Sequence, residues 1–417
     1  MQPTPRTGPK RLLLFISTVP PATTPHSEWV LWHLDRAGWD ITAVAPRASE
    51  SLLKRALGTR WKTRDLPDRA GRTAFAHFLR LLWELLKARF GTAPVVYLHS
   101  QALGYQAALL FKGPRGTKRL VYQNPDYYCP ITYPGRSHLE GIMARSCDLH
   151  ISHEYHRGYI FRAQHRVRAP ILISPPNLNI GFPVARPDAE IRKQLSGDAP
   201  GDEFLLRLHG GLHPLRRVSE LFEALALLPR RFRLVMTREG DPVRDQALDG
   251  RLAEAGILDR VVRLPRMEYC EVLRYTVSCD AGVLLYANND LGNFFQSPGR
   301  LTEYLACGLP VLSSHFTGLE ALVRRYDIGE CADALNPRDI VRAILRLESR
   351  ARAGAFAGGR IRRVFETRFA TDLWGPRVVA AFEKLIGAEA RAEQAPPPEY
   401  WWPGDDEGPG AGDVEAV

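Results

Sequence analysis

The sequence predicts an α/β protein with two doubly wound domains, each a parallel sheet covered by helices on both faces. Short apolar runs alternate with helical patterns along most of the chain, and the alternation restarts after a Pro-, Gly- and charge-rich stretch at 177–202. The length of 417 residues agrees with this division, because single cores stop growing at about 250–300 residues. Sheets of this kind bind ligands at the carboxyl ends of their strands, so we expect a site between the two halves.

Residues 1–180 are predicted to form the first domain. The opening apolar run, RLLLFIS, is typical of a strand buried on both faces, and the helix after it ends at Gly38. Strand, helix and strand joined by short connections form a parallel unit. The predicted strands of this domain lie at 11–17, 40–46, 93–100, 118–123, 148–153 and 171–176.

Residues 181–370 repeat the pattern and are predicted to form the second domain. A further helix at 371–388 lies beyond a complete domain, and the acidic, Pro- and Gly-rich tail at 389–417 has too little apolar surface to build a core. We therefore expect this tail to be disordered. The predicted strands of the second domain lie at 204–210, 232–237, 261–265, 281–287, 309–314 and 329–333.

The composition is that of a soluble globular protein. No apolar run approaches the roughly 20 residues that cross a bilayer, and the run at 12–16 is shorter than a secretory signal core of about 7–15 residues. We therefore expect a cytoplasmic protein. The six cysteines lack metal-site spacing and predict reduced thiols. The net charge of +10 suits phosphate-bearing ligands or an anionic membrane surface, and we expect no nucleic-acid partner.

The segment SPGRLTEYLACGLPVLSS, 297–314, carries the first candidate site. Ser297 and Gly299 belong to a loop that enters a helix, and the free amides and positive dipole at a helix start suit a diphosphate. Arg300 adds a cation in the first turn. Glu303 lies one turn further on, where its carboxylate could accept hydrogen bonds from ribose hydroxyls. A capped amphipathic helix with a solvated arginine and glutamate is the alternative interpretation.

This segment resembles the GT-B fold glycosyltransferases, particularly the large family 4 group, also called group 1. Their pattern is P-x-K/R-x-x-E-Y-x-A-x-G-x-P-V. This chain matches it at Pro298, Arg300, Glu303, Tyr304, Ala306, Gly308, Pro310 and Val311. The resemblance extends over roughly 11–388 and implies two Rossmann-like domains that face a cleft. It also implies that the helix at 371–388 crosses back to the first domain.

A second resemblance lies upstream, at 209–224. HGGL, with Gly210 and Gly211, resembles the strand-to-loop turn of the family, and Arg216 stands where a lysine meets the donor diphosphate. Asn289, in the loop ANNDLGNFF, is a candidate for the wall of the sugar pocket. The resemblance implies no metal ion and no cofactor other than the nucleotide-sugar co-substrate.

The function that the resemblance implies is transfer of a sugar from a nucleoside diphosphate to an acceptor, and we expect the nucleotide to be UDP. The acceptor class is a polysaccharide, a glycolipid or a natural product, and the enzyme class is a hexosyltransferase. Two alternatives stay open. One is a sugar-nucleotide epimerase of the same fold, and the other is a catalytically silent scaffold that binds a partner.

The catalytic group is predicted less directly. Retaining members carry two glutamates with seven residues between them, and the first of these positions falls on Phe295. Asp126 follows the strand at 118–123 and resembles the base of certain inverting GT-B enzymes, although a turn or capping role is the alternative. His99, at the end of another strand, is the competing candidate base.

One helical stretch, FAHFLRLLWELLKARF at 75–90, bears on location. Basic residues are interleaved with its apolar residues, which is typical of a helix that docks on an anionic membrane with a lipid-linked acceptor. A core helix packed on the sheet is the other interpretation. The first would place the protein peripherally on the inner face of the membrane.

Overall fold

The computed structural model describes two parallel sheets with helices between their strands. No helix in the described part of the chain is long and apolar enough to cross a membrane. The described residues are 11–18, 25–66, 74–99, 110, 118–123, 134–175, 178, 181–182, 184, 186–197, 201–209, 217–238, 240–287, 294–295 and 299–387.

The first sheet has seven parallel strands in the order β3-β2-β1-β4-β5-β6-β7. In the register, Ser17 pairs with His99, and His99 pairs with Gln123. Polar side chains thus line up at the carboxyl edge. The strands are β1 Leu12–Ser17, β2 Asp40–Pro46, β3 Lys62–Leu66, β4 Val95–His99, β5 Arg119–Gln123, β6 Leu149–Ser152 and β7 Ile171–Ile173.

The second sheet has six parallel strands in the order β10-β9-β8-β11-β12-β13. Its central strand, β8, is buried at all five positions, as the apolar run in the sequence predicts. The two doubly wound sheets confirm the predicted fold class. The strands are β8 Phe204–Leu208, β9 Phe232–Thr237, β10 Val261–Leu264, β11 Ala281–Leu284, β12 Val311–Ser314 and β13 Gly329–Ala332.

Helices connect the strands, and several begin where local chemistry predicts. Asp188, Asp241 and Asn336 each accept hydrogen bonds from the backbone amides of a helix start. The helices are α1 Pro25–Arg36, α2 Leu52–Leu57, α3 Ala74–Phe90, α4 Pro134–Ser146, α5 Tyr155–His165, α6 Ala189–Ser196, α7 Val218–Leu227, α8 Pro242–Glu254, α9 Tyr269–Thr276, α10 Gly299–Ala306, α11 Thr317–Tyr326, α12 Pro337–Arg352, α13 Arg360–Val364 and α14 Gly375–Leu385.

The last helix, α14, packs on α1, the helix between β1 and β2 of the first sheet. His33 of α1 lies 3.2 Å from the hydroxyl of Thr371, just before α14. At the other end of the interface, Arg11 forms a 3.0 Å ion pair with Glu383. The chain thus returns to the first half after it completes the second sheet. The predicted boundaries at 180/181 and 370/371 stay predictions, and the tail at 389–417 lies outside the described residues.

Candidate functional site

The site is built around His209, which follows β8 at the carboxyl edge of the second sheet. The ring is only 4% exposed. Its Nδ1 lies 2.7 Å from a carboxylate oxygen of Glu303, and its Nε2 lies 2.6 Å from the hydroxyl of Thr276. A carboxylate accepts and does not donate, so the ring proton is on Nδ1. Burial and the charge of Arg207 lower the pKa of His209 to about 4, and the ring is therefore neutral at pH 7.

Glu303 projects from the second turn of α10 between two partners. One oxygen accepts from His209, and the hydroxyl of Tyr269 donates to the other at 2.7 Å. Burial by itself raises the pKa of this carboxyl. The hydrogen bonds from His209 and Tyr269 and the nearby charge of Arg300 outweigh burial and hold the pKa below its ordinary value. Glu303 is consequently an ionised, oriented acceptor at neutral pH.

Arg300, in the first turn of α10, is fixed beside this carboxylate. Its guanidinium donates to the carbonyl of His209 at 2.9 Å and also bonds the hydroxyl of Tyr286. The guanidinium carbon lies 5.0 Å from the centroid of the Tyr286 ring, in cation–π geometry. A cation held in this way at a helix start reinforces the positive potential that favours an anion.

Beneath the site, Tyr304 and Arg207 hold the turn after β8. The Tyr304 hydroxyl accepts from the backbone amide of His209 at 2.9 Å and donates to the carbonyl of Arg207 at 3.0 Å. The Arg207 side chain is fully buried and donates to the carbonyl of Val235 at 3.0 Å and to the hydroxyl of Thr237 at 3.1 Å. These contacts fix His209, and through it Glu303.

Comparisons with known proteins agree with this geometry. Residues 191–354 match the family model described as Glycosyl transferases group 1. This stretch is a group 1 glycosyltransferase domain. It contains His209, Glu303 and Arg300, together with all six strands of the second sheet. No curated protein sequence matches the chain.

Solved structures show that the group 1 domain is half of a GT-B fold. Sucrose-phosphate synthase from Thermosynechococcus elongatus is similar over 91% of this chain and 100% of that one, at 15% identity and a TM-score of 0.70. Anabaena HepE in complex with UDP-glucose is similar over 89% and 99%, at 14% identity and a TM-score of 0.70. A UDP-N-acetylglucosamine 2-epimerase is similar over 90% and 96%, at 11% identity and a TM-score of 0.60.

The structure brings together part of the predicted donor set. Gly299 begins α10, and Arg300 and Glu303 project from the same helix, one turn apart. The other predicted donor residues lie outside the described residues: Gly210, Gly211, Arg216, Asn289 and Ser297. The candidate base Asp126 also lies outside them.

The other candidate base, His99, is in the core at the end of β4. It is fully buried, its Nδ1 lies 3.1 Å from the hydroxyl of Ser17, and its ring stacks on Phe15. Burial lowers the pKa of His99 to about 3. Such a histidine is a weak base at neutral pH and has no exposed surface for an acceptor, so its position does not favour the predicted role.

The group 1 site also contains residues that the sequence patterns did not identify. His209 begins the HGGL turn, which resembles the corresponding turn of the family. Its position at the end of a predicted strand was a signal that could have identified it as a site residue. Tyr269 comes from α9 and Tyr286 follows β11, so only the fold brings them to Glu303 and Arg300. Among the described residues, no cluster of His, Cys, Asp or Glu has the arrangement of a metal site.

The two halves of the GT-B fold also meet at the carboxyl edges of their sheets. His156, in the first turn of α5, stacks on Phe295 of the group 1 domain, with ring centroids 5.1 Å apart and an interplanar angle of 20°. Phe182 packs edge-on to Tyr269 at 5.7 Å. The position where retaining members carry a glutamate, Phe295, thus faces a histidine of the first domain.

Proposed function

We propose that this protein transfers a hexose from a UDP-sugar to a hydroxyl of a polysaccharide, glycolipid or natural-product acceptor. The observation that carries the proposal is the ionised Glu303, held between His209 and Tyr269 beside the fixed Arg300. A carboxylate has about four acceptor positions, of which the described contacts use two, so two ribose hydroxyls would find acceptors. The UDP and UDP-glucose complexes of HepE support the same donor class.

In this proposal the diphosphate sits at the start of α10. Arg300 supplies a cation, and the amides of Ser297, Gly299 and Arg300 supply donors at the positive end of the helix. Arg216, with the turn at Gly210 and Gly211, would approach the phosphates from the end of β8, and Asn289 would contact the sugar. These assignments keep the roles that the sequence predicts for them.

The proposal is tested by thermal stabilisation with UDP, UDP-glucose and UDP-N-acetylglucosamine. A ligand at 100 times its Kd stabilises the folded state by about 2.7 kcal/mol. Glu303→Ala and Arg216→Ala should lose this stabilisation. Glu254→Ala, at an exposed position near the end of α8, is the matched control and should keep it. Equal stabilisation of Glu303→Ala and the wild type would refute the donor assignment.

Turnover separates transfer from the alternatives. The group 1 match favours a transferase, although the similar epimerase fold makes a second activity worth testing. UDP release that depends on an acceptor supports transfer, and Asp126→Asn tests the predicted inverting base. Conversion of the sugar without acceptor supports epimerisation. Donor binding with no turnover of either kind supports a binding scaffold.

We further propose that the protein is cytoplasmic and that helix α3 docks it on an anionic membrane. One face of the helix turns apolar side chains to the outside: Leu79 is 46% exposed, Trp83 54% and Phe90 77%. These residues recur at spacings of four and seven and therefore share a face. Lys87 lies 5.5 Å from the ring centroid of Trp83 and Arg89 lies 5.8 Å from that of Phe90, so cations flank the apolar stripe.

The positive charge around α3 favours an anionic lipid surface over an apolar protein surface as the partner of this helix. Glu84, only 1% exposed, is surrounded by Arg64, Arg80 and Lys87 at 2.7, 3.9 and 3.2 Å. Three cations around one carboxylate leave a local charge of +2. Each basic residue near an anionic surface contributes about 1 kcal/mol to the free energy of membrane binding. This excess charge therefore adds about 2 kcal/mol, which raises the partition coefficient about 30-fold.

Co-sedimentation with phosphatidylglycerol/phosphatidylcholine vesicles tests this surface. The double variant Trp83→Ser, Phe90→Ser should remain in the supernatant, whereas Leu227→Ser, which changes an equally exposed residue of α7, should pellet like the wild type. High salt should release the wild type. Equal pelleting with neutral phosphatidylcholine vesicles would contradict the electrostatic part of the proposal.

A further inference from the structure

A histidine–carboxylate pair lies at the carboxyl end of β6, in the domain opposite the donor residues. His156 Nδ1 lies 2.6 Å from Oε1 of Glu154. Glu154 is only 1% exposed, and its carboxylate also caps α5 by accepting from the amides of His156 at 2.9 Å and Arg157 at 2.7 Å. The carboxylate is therefore held rigidly, and it fixes the ring of His156.

The ring of His156 is also covered on one face. Phe295 of the opposite domain stacks on it, and Phe294 packs against Phe295 with centroids 5.0 Å apart. The side chain of His156 is 35% exposed, unlike the buried His99. In the described part of the chain, no group hydrogen-bonds Nε2, whereas Nδ1 is taken by Glu154.

This arrangement is suited to proton transfer. A carboxylate on Nδ1 places the ring proton there, leaves the lone pair on Nε2 and stabilises the imidazolium once Nε2 is protonated. The hydrogen bond to Glu154 raises the pKa of His156 above its ordinary value, against the opposing effect of partial burial, and the charge of Glu154 adds to the increase. Among the described residues, the charged group that faces the ring is Glu154, and the titratable Tyr155 lies edge-on to it with ring centroids 5.9 Å apart. The opposite domain presents the uncharged Phe295.

We propose that His156 is the general base of the transfer reaction and that Glu154 is its positioning residue. This inference rests on the proposed function. The acceptor hydroxyl gives its proton to Nε2 as its oxygen forms a bond to the anomeric carbon. The bond from that carbon to the diphosphate oxygen breaks, and UDP leaves with the electron pair. The products are the glycoside, UDP and a proton carried by His156, and the configuration at the anomeric carbon inverts.

The location supports this role over a purely structural contact. Phe295 stands four residues before Gly299, the first residue of α10, and therefore next to the helix proposed to hold the diphosphate. His156 reaches the same place from the first sheet. Inversion requires the base to lie on the side of the anomeric carbon away from the leaving group, and a base on the domain opposite the proposed diphosphate site meets this requirement in the proposal.

The experiment measures UDP release as a function of pH. The donor is the UDP-sugar that stabilises the protein most, and p-nitrophenyl glycosides serve as acceptors. The wild type should lose kcat/KM at acid pH as His156 becomes protonated. His156→Gln and His156→Phe should lose about 100-fold or more in kcat, because general bases contribute about 10²–10⁴-fold. Both variants should keep the thermal stabilisation by donor.

Two further variants separate catalysis from packing. His156→Phe keeps an aromatic ring against Phe295, so retention of its activity within fivefold of wild type would overturn the proposal. Glu154→Gln retains an oxygen for the helix cap but removes the charge, and it should shift the acid limb of the pH profile to lower pH. His138→Gln, at an exposed histidine of α4, is the matched control with an unchanged profile.

The outcomes distinguish this inference from the proposed function. Transfer by the wild type that persists in His156→Phe and vanishes in Asp126→Asn assigns the base to Asp126 and refutes only the role of His156. Donor stabilisation without transfer by the wild type refutes the proposed transferase activity and the role of His156 with it.

Discussion

Tyr304→Phe removes a single hydroxyl from beneath the donor site. That hydroxyl accepts from the amide of His209 and donates to the carbonyl of Arg207, and all three residues are at most 4% exposed. The ring itself stays, so no cavity of consequence forms. The variant therefore isolates the effect of the hydroxyl on the turn that carries His209.

The expected magnitude follows from the buried amide. The amide of His209 loses its partner in a place that water does not reach, and an unsatisfied buried donor costs about 1–3 kcal/mol. For a domain of about 150–250 residues, 1 kcal/mol lowers Tm by about 2–4 °C. A cost of about 2 kcal/mol therefore predicts a Tm lower by about 4–8 °C. Because the carbonyl of His209 anchors Arg300, stabilisation by UDP should fall as well.

Scanning calorimetry with and without UDP is the assay. Tyr275→Phe is the matched control, because the residue is half-buried and its hydroxyl makes an exposed contact of 3.5 Å with Gln194, at the limit of a hydrogen bond. Its Tm should stay within about 1–2 °C of wild type, as surface changes cost about 0.5 kcal/mol or less. A Tyr304→Phe protein that melts with the wild type and binds UDP equally well would refute the reasoning.

Three other changes test the packing and the buried histidines. Gly282→Ala would place a Cβ 2.3 Å from the ring of Tyr304, so both Tm and stabilisation by UDP should fall in melting curves. Gly375→Ala would place a Cβ 2.4 Å from Nδ1 of His33, and it should lower Tm by separating α14 from α1, at a cost of about 1–3 kcal/mol. Burial lowers the pKa of His33 to about 4 and that of His150 to about 3, so the unfolded chain binds protons that the folded chain does not. The free energy of unfolding should therefore be at its full value above about pH 6.5 and fall towards pH 4. Melting temperatures measured across this range should show this fall, with a shallower decline in His33→Gln. A melting temperature that does not change with pH would contradict this.

The fold is predictable from the sequence wherever strands are buried on both faces. The apolar run around Phe204–Leu208 identifies β8, because parallel strands between helix layers lack polar positions. The strand β3, Lys62–Leu66, shows the limit. It is the edge strand, three of its five residues are exposed, and its sequence KTRDL has no apolar run to detect. An edge strand pairs through its backbone on one side, and its side chains need not be apolar.

The donor site is predictable where its residues lie within one helix. Arg300 and Glu303 are one turn apart, so their common face follows from helical geometry alone. The partners that set the charge and orientation of Glu303 are different. His209 and Tyr269 lie 94 and 34 residues away along the chain. Only the order of strands in the sheet brings them to α10, and that order is not contained in local spacing.

The contact between His156 and Phe295 shows why a departure from a motif is better interpreted in three dimensions. In the sequence, Phe295 indicates only that a glutamate of retaining enzymes is missing. In the fold, the same position is an apolar face against a half-exposed histidine whose other edge is held by a buried carboxylate. A phenylalanine contributes no charge to an oxocarbenium-like centre, so the chemistry has to be supplied from the facing sheet or by the donor itself. Among the described residues of the facing domain, His156 of α5 contacts this position, and that is the physical reason to look for an inverting reaction there.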